Sequence, residues 1–236
     1  MRPALEQPVS YLTRNEFEQL MGAAAGDAVA VRDRIDRGDS LLAAYRADPP
    51  SSACTDVEIE SLDLHVLDLF DRTDSPAKRA DVARGLFLTR EDLAPLLVLG
   101  TGLSGLRPSE LLNLPASHQH DTVRGTVTIR VPDHRHGGHA NLRWELRASD
   151  DQPLGPGDLY LMVHRLTERA RRASGSDRLW CLWSLTGPGT MPPRSVAPLL
   201  KEWAHRHRLS DDAGLPLEPT LLQVRRAYAS LLASGV

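Results

Sequence analysis

The chain has little of several residue types that would assign it to a familiar class. Only two of its 28 basic residues are lysines, Lys78 and Lys201, and the rest are arginines. Its two cysteines, Cys54 and Cys181, are too few for a disulfide framework and do not form a CxxC pair. No apolar run approaches the ~20 residues that a membrane helix needs, and residues 1–12 lack the apolar core of a signal peptide. We therefore expect a soluble, cytoplasmic protein.

Charge is nearly balanced overall but uneven along the chain. With 28 basic and 31 acidic residues the formal net charge is -3, which argues against a protein coated with positive charge. Acidic residues crowd positions 27–74, whereas arginines crowd the second half. A basic half can bind phosphate, although an arginine-rich helix face is as often an ordinary solvated surface. The arginines concerned are Arg165, Arg169, Arg171, Arg172, Arg206, Arg208, Arg225 and Arg226.

Helical patterns dominate the chain. Thr13 followed by Glu16 resembles a capping box at the start of a first helix. Thr89 is a predicted cap of a later helix that runs through 93–99. The glycines Gly100, Gly102 and Gly105 are predicted to end this helix. We predict helices starting at Thr13, over 29–45 with an interruption at Gly38, and over 57–70, 93–99, 159–173, 196–207 and 219–232.

The hydrophobic period changes between residues 122 and 146. Residues 126–131 favour a strand, 133–140 a turn, and 142–146 a return strand with alternating apolar positions. This pattern predicts a β-hairpin with a basic, histidine-bearing tip. Residues 179–183, LWCLW, are typical of a short buried strand. The predicted fold class is therefore α+β, mostly helical, with a central β-hairpin or small sheet.

One arginine stands out at the end of the most apolar stretch, LLVLGTGLSGLRPSELLNL at 96–114. Arg107 comes directly before a helix that Pro108 starts. A guanidinium in that position can fork onto two phosphate oxygens and stays charged at any cellular pH. The competing interpretation is that Arg107 pairs with Glu110, three residues further on, or caps a neighbouring carbonyl group.

Two segments together resemble the tyrosine recombinase, or phage integrase, family. Residues 101–114 resemble the family box TGLRxSELLxL, with Arg107 on its first catalytic arginine. Residues 222–236, LQVRRAYASLLASGV, are similar to the second box, HxLRHTFAxxLLxxGV, with Arg225 on its second arginine. The hairpin at 126–146 resembles the family's β2–β3 hairpin. The resemblance covers residues 90–236 well and residues 10–25 weakly.

The resemblance implies a catalytic domain that acts on double-stranded DNA in integration and recombination. In the family both arginines hold the scissile phosphate, a hairpin lysine protonates the leaving oxygen, and a tyrosine joins the DNA covalently. The general reason is that a phosphodiester in transit gathers charge that two fixed guanidiniums stabilise. No metal or other cofactor is implied. Recombinase subunits, or further copies of this chain, are the implied partners on DNA.

The sequence departs from the family pattern at the groups that move protons or attack phosphorus. Leu222 stands where the second box has histidine. No lysine lies in the hairpin, where His134, Arg135 or His136 holds the nearest equivalent position, and of these a histidine could serve as an acid. The nucleophilic tyrosine is expected beyond Val236, while Tyr228 falls where the family has a buried aromatic. We therefore expect a cleavage-deficient form of the enzyme.

We predict one recombinase-like catalytic domain over residues 1–236. It would consist of a divergent helical part at 1–90 and a two-arginine core at 91–236, without the family's N-terminal core-binding domain or its C-terminal tyrosine segment. The predicted DNA contacts outside the arginine pair are Arg135, Arg165, Arg169, Arg172 and Arg226.

Three alternatives remain open. The chain could be a non-catalytic DNA-binding remnant of a recombinase, or a helical interaction protein with no DNA role. A third is a metal-binding protein, because His118 and His120, together with His134, His136 and His139, have HxH and HxHxxH spacing. A solvated basic turn is the simpler interpretation of the second cluster.

Overall fold

A computed structural model describes most of the chain. Several helices surround one buried helix, and a small antiparallel sheet lies to one side. The described residues are 11–47, 76–133, 137–147, 153–184, 187–190 and 196–234. The helices are α1 (Arg14–Ala47), α2 (Pro76–Leu86), α3 (Leu93–Ser104), α4 (Pro108–Leu112), α5 (Pro156–Ser174), α6 (Val196–Arg206) and α7 (Leu221–Ala233). The strands are β1 (Gln119–Asp121), β2 (Thr126–Asp133), β3 (Gly138–Glu145), β4 (Cys181–Ser184) and β5 (Gly187–Thr190).

The mixed content of helix and sheet confirms the α+β class. Helices α5, α6 and α7 occur where they were predicted, within three residues at each end. The strand predicted at LWCLW is present as β4, which pairs with β5. The predicted helix at 57–70 lies outside the described residues. Within those residues, no helix is long and apolar enough to cross a membrane.

Helix α3 is the centre of the core. Every residue from Leu93 to Gly102 is buried, and the helix contacts α1, α4, α5, α6 and α7. A helix that is apolar all round can only be stable inside a domain. The buried cluster around it takes in Leu20 of α1, Leu200 of α6 and Val224 of α7, so one continuous core joins the two ends of the described chain.

The predicted ends of α3 were partly wrong, because only one of its three glycines breaks the helix. Gly100 and Gly102 lie within α3, and an added Cβ would come within 3.0 Å of a Leu111 methyl and 2.4 Å of the Met21 sulfur, respectively. Gly105 ends the helix in the left-handed region at φ 65°. The first two glycines therefore allow close packing of neighbouring helices, and the third allows the turn.

The predicted break in the N-terminal helices was also wrong, since α1 runs without interruption for 34 residues. The capping box at its start is confirmed, because Glu16 and Thr13 each accept the other's backbone N–H, at 2.8 and 3.2 Å. At Gly38 an added Cβ would lie 2.1 Å from the carbonyl oxygen of Gly85. Gly38 thus lets α2 approach α1 closely instead of ending a helix.

The predicted hairpin is confirmed as β2 and β3, and β1 adds a third strand that the sequence did not reveal. Strand order is β1-β2-β3, all antiparallel. The hairpin is longer than predicted, because pairing continues to Asp133 and Gly138. Val127 and Ile129 are fully buried while Arg130 is exposed, so one face of the sheet belongs to the core and the other faces solvent.

A polar contact ties α1 to α6. One carboxylate oxygen of Asp27 accepts a hydrogen bond from the indole Nε1 of Trp203 at 2.7 Å and lies 2.7 Å from Nε2 of His207. Trp203 is 1% exposed. A buried indole N–H without an acceptor would be costly, so Asp27 stabilises the position of the largest side chain in this part of the core.

We expect Asp27→Ala to lower the free energy of unfolding by about 1–3 kcal/mol, because it leaves the Trp203 N–H without its acceptor. Urea denaturation followed by far-UV circular dichroism measures the loss. Asp33→Ala is the control, since Asp33 forms an ion pair with Arg32 on the same helix at an exposed site, and it should change stability by less than about 0.5 kcal/mol. Equal effects of the two variants would contradict this assignment.

Candidate nucleic-acid interface

Arg107 lies at the N-terminal end of α4, two residues after the turn at Gly105. Its backbone N–H donates to Oε2 of Glu110 at 2.8 Å, and Pro108 occupies the first helical position. The guanidinium itself is held only loosely by the same residue, with Nε 4.0 Å from Oε1 and 48% of the side chain exposed. Glu110 therefore caps the helix through the backbone and leaves the Arg107 side chain largely accessible to a ligand.

Arg225 comes to the same turn from the other end of the chain. Its Nε donates to the carbonyl oxygen of Gly105 at 2.9 Å, across 120 residues of sequence. Helix α7 is fixed at its start by Thr220, whose hydroxyl accepts the N–H of Gln223 at 3.2 Å. Among the described residues no partner is present for the Arg225 Nη groups. The structure thus brings the Arg225 side chain to the backbone of the turn that precedes Arg107.

Tyr228, one helical turn after Arg225, packs on the same turn. An added Cβ on Gly105 would lie 2.6 Å from Cε1 of this tyrosine, and the ring is one of the partly buried groups at the edge of the core. A packing role, as expected for an aromatic at this place, accounts for these contacts. Leu222 is 44% exposed on α7, and its side chain has no group that can transfer a proton.

Protein-family models, curated proteins and solved structures were compared with the chain. None matches.

Two of the predicted DNA-contacting arginines on α5 have partners within the protein. Arg165 forms an ion pair with Asp36 of α1. The hydrogen bond from its guanidinium to the Asp36 carboxylate raises the pKa of Arg165. Arg169 reaches Asp39 at 2.6 Å, donates to the carbonyl oxygen of Leu86 at 2.9 Å, and is only 19% exposed. These two arginines bind α5 to α1. Their role in DNA contact stays a prediction.

The other predicted contacts have different surroundings. Arg172 is 67% exposed and pairs with Glu168 on its own helix. The guanidinium of Arg226 lies 5.7 Å from the ring centroid of Tyr11, and its Nη1 is buried without a hydrogen-bond partner among the described residues. The tip residues His134, Arg135 and His136 lie outside the described part of the chain.

Histidine and tyrosine form a cluster that the sequence did not predict. The rings of His118 and His164 are 4.6 Å apart, and the Tyr160 hydroxyl donates to the carbonyl oxygens of Pro115 and Ala116 at 2.9 and 3.0 Å. Burial, then the charges of Arg171 and His118, lower the pKa of His164 to about 4. His164 is therefore neutral at physiological pH.

A metal site does not form within the described residues, where no group of three potential ligands converges. His120 is exposed on the edge strand β1, and His118 faces His164. The prediction of a metal site at His134, His136 and His139 stays a prediction, because His134 and His136 lie outside the described residues. His118 and His120 have no third potential ligand beside them in the described part of the chain.

The solvent-facing side of the sheet is a polar surface that the sequence motifs did not single out. Thr128 and Arg130 of β2 stand beside Asn141 and His139 of β3, with Gln119 of β1 next to Thr128. They line an open cavity of about 550 Å³. The signal was present in the alternation of TVTIRV and NLRWE, where polar residues occupy every second position.

Replacing Gly105 should be more harmful than replacing a glycine with the same backbone conformation elsewhere. Gly125 has φ 59° with nothing near its missing Cβ, whereas Gly105 has φ 65° and the Tyr228 ring against it. Gly125→Ala should cost about 1–2 kcal/mol of unfolding free energy from backbone strain alone. Gly105→Ala should cost about 1–3 kcal/mol more through overpacking. Urea unfolding of both variants tests this, and equal losses would contradict the packing against Tyr228.

His164 should make the protein less stable as the pH falls. Its folded pKa is about 4 and its unfolded pKa is near ~6.5, so between these values the unfolded chain binds more protons and the free energy of unfolding decreases. Comparing wild type with His164→Gln by urea denaturation across this range isolates the contribution, which the variant should lack. An NMR titration in which His164 protonates near its ordinary pKa would show the interpretation to be wrong.

Proposed function

We propose that this protein binds double-stranded DNA through a phosphate site made of Arg107 and Arg225, on a fold like the catalytic domain of the tyrosine recombinases. The observation that carries the proposal is the 2.9 Å hydrogen bond from Arg225 to the carbonyl oxygen of Gly105. It unites the two segments that resemble the family's arginine boxes at one turn. A chance resemblance of two short segments would give no reason for them to be in contact.

The chemistry of the two side chains suits a phosphate diester. A guanidinium has five N–H donors, and the bond to Gly105 uses only the Nε donor of Arg225. The remaining donors suit two phosphate oxygens in a fork. Because the carbonyl fixes the Arg225 guanidinium, less conformational entropy is lost when the ligand binds.

Binding without strand cleavage is the form of the activity that we propose. Cleavage would need a nucleophile and a group to protonate the leaving oxygen. Leu222 can do neither, and the ring of Tyr228 is packed on Gly105. The alternative is a recombinase that receives its tyrosine from another subunit. It would form a covalent protein–DNA adduct, whereas the proposed binding protein would not.

Fluorescence anisotropy with a labelled 30-base-pair duplex tests the phosphate site. We expect Arg107→Ala and Arg225→Ala each to weaken binding about 10-fold or more, since a hydrogen bond to a charged group is worth roughly 1.5–3 kcal/mol. Arg225→Lys should also lose affinity, because it keeps the charge but not the fork. Arg14→Ala is the matched control, as Arg14 is 60% exposed and pairs with Glu18 on the surface of α1.

Two results would contradict the proposal. If both arginine variants bind the duplex as tightly as Arg14→Ala does, the phosphate site is wrong. If incubation with a nicked suicide duplex gives a covalent protein–DNA adduct on a denaturing gel, the chain cleaves DNA. Binding that weakens with salt, without an adduct, is the expected outcome.

A further inference from the structure

The outer face of the β2–β3 hairpin carries polar groups that the rest of the protein does not use. Arg130 and Arg143 have neither an ion pair nor a hydrogen bond to any described residue. Other described arginines near the sheet are engaged, such as Arg124 with Asp121 and Arg178 with Asn113. Two unpaired guanidiniums on one face indicate a surface that is complementary to negative charge.

The strand register brings these groups together. Thr128 pairs with Arg143, and Arg130 pairs with Asn141, so the two arginines stand diagonally on successive pairs of the same face, with the Ile129–Leu142 pair between them. His139 follows on the same face, opposite Pro132. Diagonal neighbours in an antiparallel pair are ~7–8 Å apart. Both guanidiniums therefore belong to one small surface and flank the Asn141 amide.

The shape of this surface is that of a two-stranded ribbon. Strand β1 pairs with β2 only from Thr126 to Thr128, whereas the β2–β3 ladder continues to Asp133 and Gly138. Beyond Thr128 the hairpin extends without its third strand, and its other face packs on the core through Ile129 and Leu142. A two-stranded β-ribbon is one of the two protein elements that the major groove of B-DNA admits.

The polar groups on the ribbon are the types that distinguish base edges. An asparagine amide can pair with the N6 and N7 atoms of adenine, and an arginine with O6 and N7 of guanine. None of the described side chains lining the cavity on this face is acidic. Asp121 and Glu145 stand on the same face beside Thr126, where they disfavour phosphate, and Glu145 is the neighbour of Arg143 along β3.

We infer that the outer face of the β2–β3 ribbon is a major-groove contact surface for duplex DNA, with Asn141 reading base edges and Arg130 and Arg143 anchoring it. The inference rests on the proposed function in taking DNA as the ligand, but it concerns a surface distinct from Arg107 and Arg225. It makes this face, and not the arginine pair, the source of sequence preference, because phosphate contacts alone carry no sequence information.

The first measurement is the affinity of an Arg130→Gln/Arg143→Gln double variant for the labelled 30-base-pair duplex at several salt concentrations. We expect weaker binding, and a salt dependence whose slope falls by about 1.8 if two phosphate contacts are lost. Arg124→Gln is the matched control, because this arginine lies in the turn between β1 and β2, 71% exposed, beside Asp121. Unchanged binding by the double variant, or an equal loss in the control, overturns the inference.

The second measurement identifies the groove. Selection from a random duplex library should enrich a sequence for the wild type, and Asn141→Ala should lose preference at one or two positions. In the selected duplex, 7-deazapurine substitution removes the N7 acceptors from the major groove. We expect it to weaken wild-type binding by about 5-fold or more and to leave Asn141→Ala unchanged. Equal wild-type affinity for the modified and unmodified duplexes overturns major-groove contact.

The outcomes separate this inference from the proposed function. If only the ribbon variants weaken binding, the ribbon surface stands and the Arg107–Arg225 phosphate site fails. If only Arg107→Ala and Arg225→Ala weaken it, the phosphate site stands and the ribbon inference fails. A folded wild-type protein that binds no duplex overturns both. Far-UV circular dichroism and thermal melting establish that each variant is folded.

Discussion

The candidate site depends on one contact, the hydrogen bond from Arg225 to the backbone of Gly105. It requires a chain reversal at Gly105, a left-handed backbone that a glycine adopts without strain, and an α7 that is packed against α3. The Tyr228 ring fills the space where a Cβ would otherwise stand. The position of the Arg225 side chain at this turn is thus set by backbone geometry and packing.

The buried helix α3 gives that turn a rigid support. Its glycines allow α1 and α4 to approach closely, because the nearest side-chain atoms of Met21 and Leu111 occupy the space that a Cβ would need. The turn at Gly105 therefore continues directly from a helix that is buried in the core.

Arginine has at least two separate uses in this protein. Arg165 and Arg169 join α5 to the acidic side of α1 through Asp36 and Asp39. By contrast, Arg130 and Arg143 keep their donors for solvent or a ligand. The acidic first half and the basic second half of the sequence are thus not two separate surfaces. Some of their charges form ion pairs with each other where α5 packs on α1. The unpaired guanidiniums, and not the total charge, mark where an anion would be attracted.

The sequence by itself determined the α+β class, most helix positions, the hairpin and the two arginine segments, because these depend on local periodicity, caps and turns. It did not determine that α1 is continuous or that α3 runs to Ser104, since a glycine that breaks a helix and a glycine that admits a neighbour look alike until that neighbour is present. The pairing partners of Arg165 and Arg169 and the approach of Arg225 to Gly105 were equally hidden. They join residues more than 100 positions apart, and only tertiary packing decides which distant groups meet.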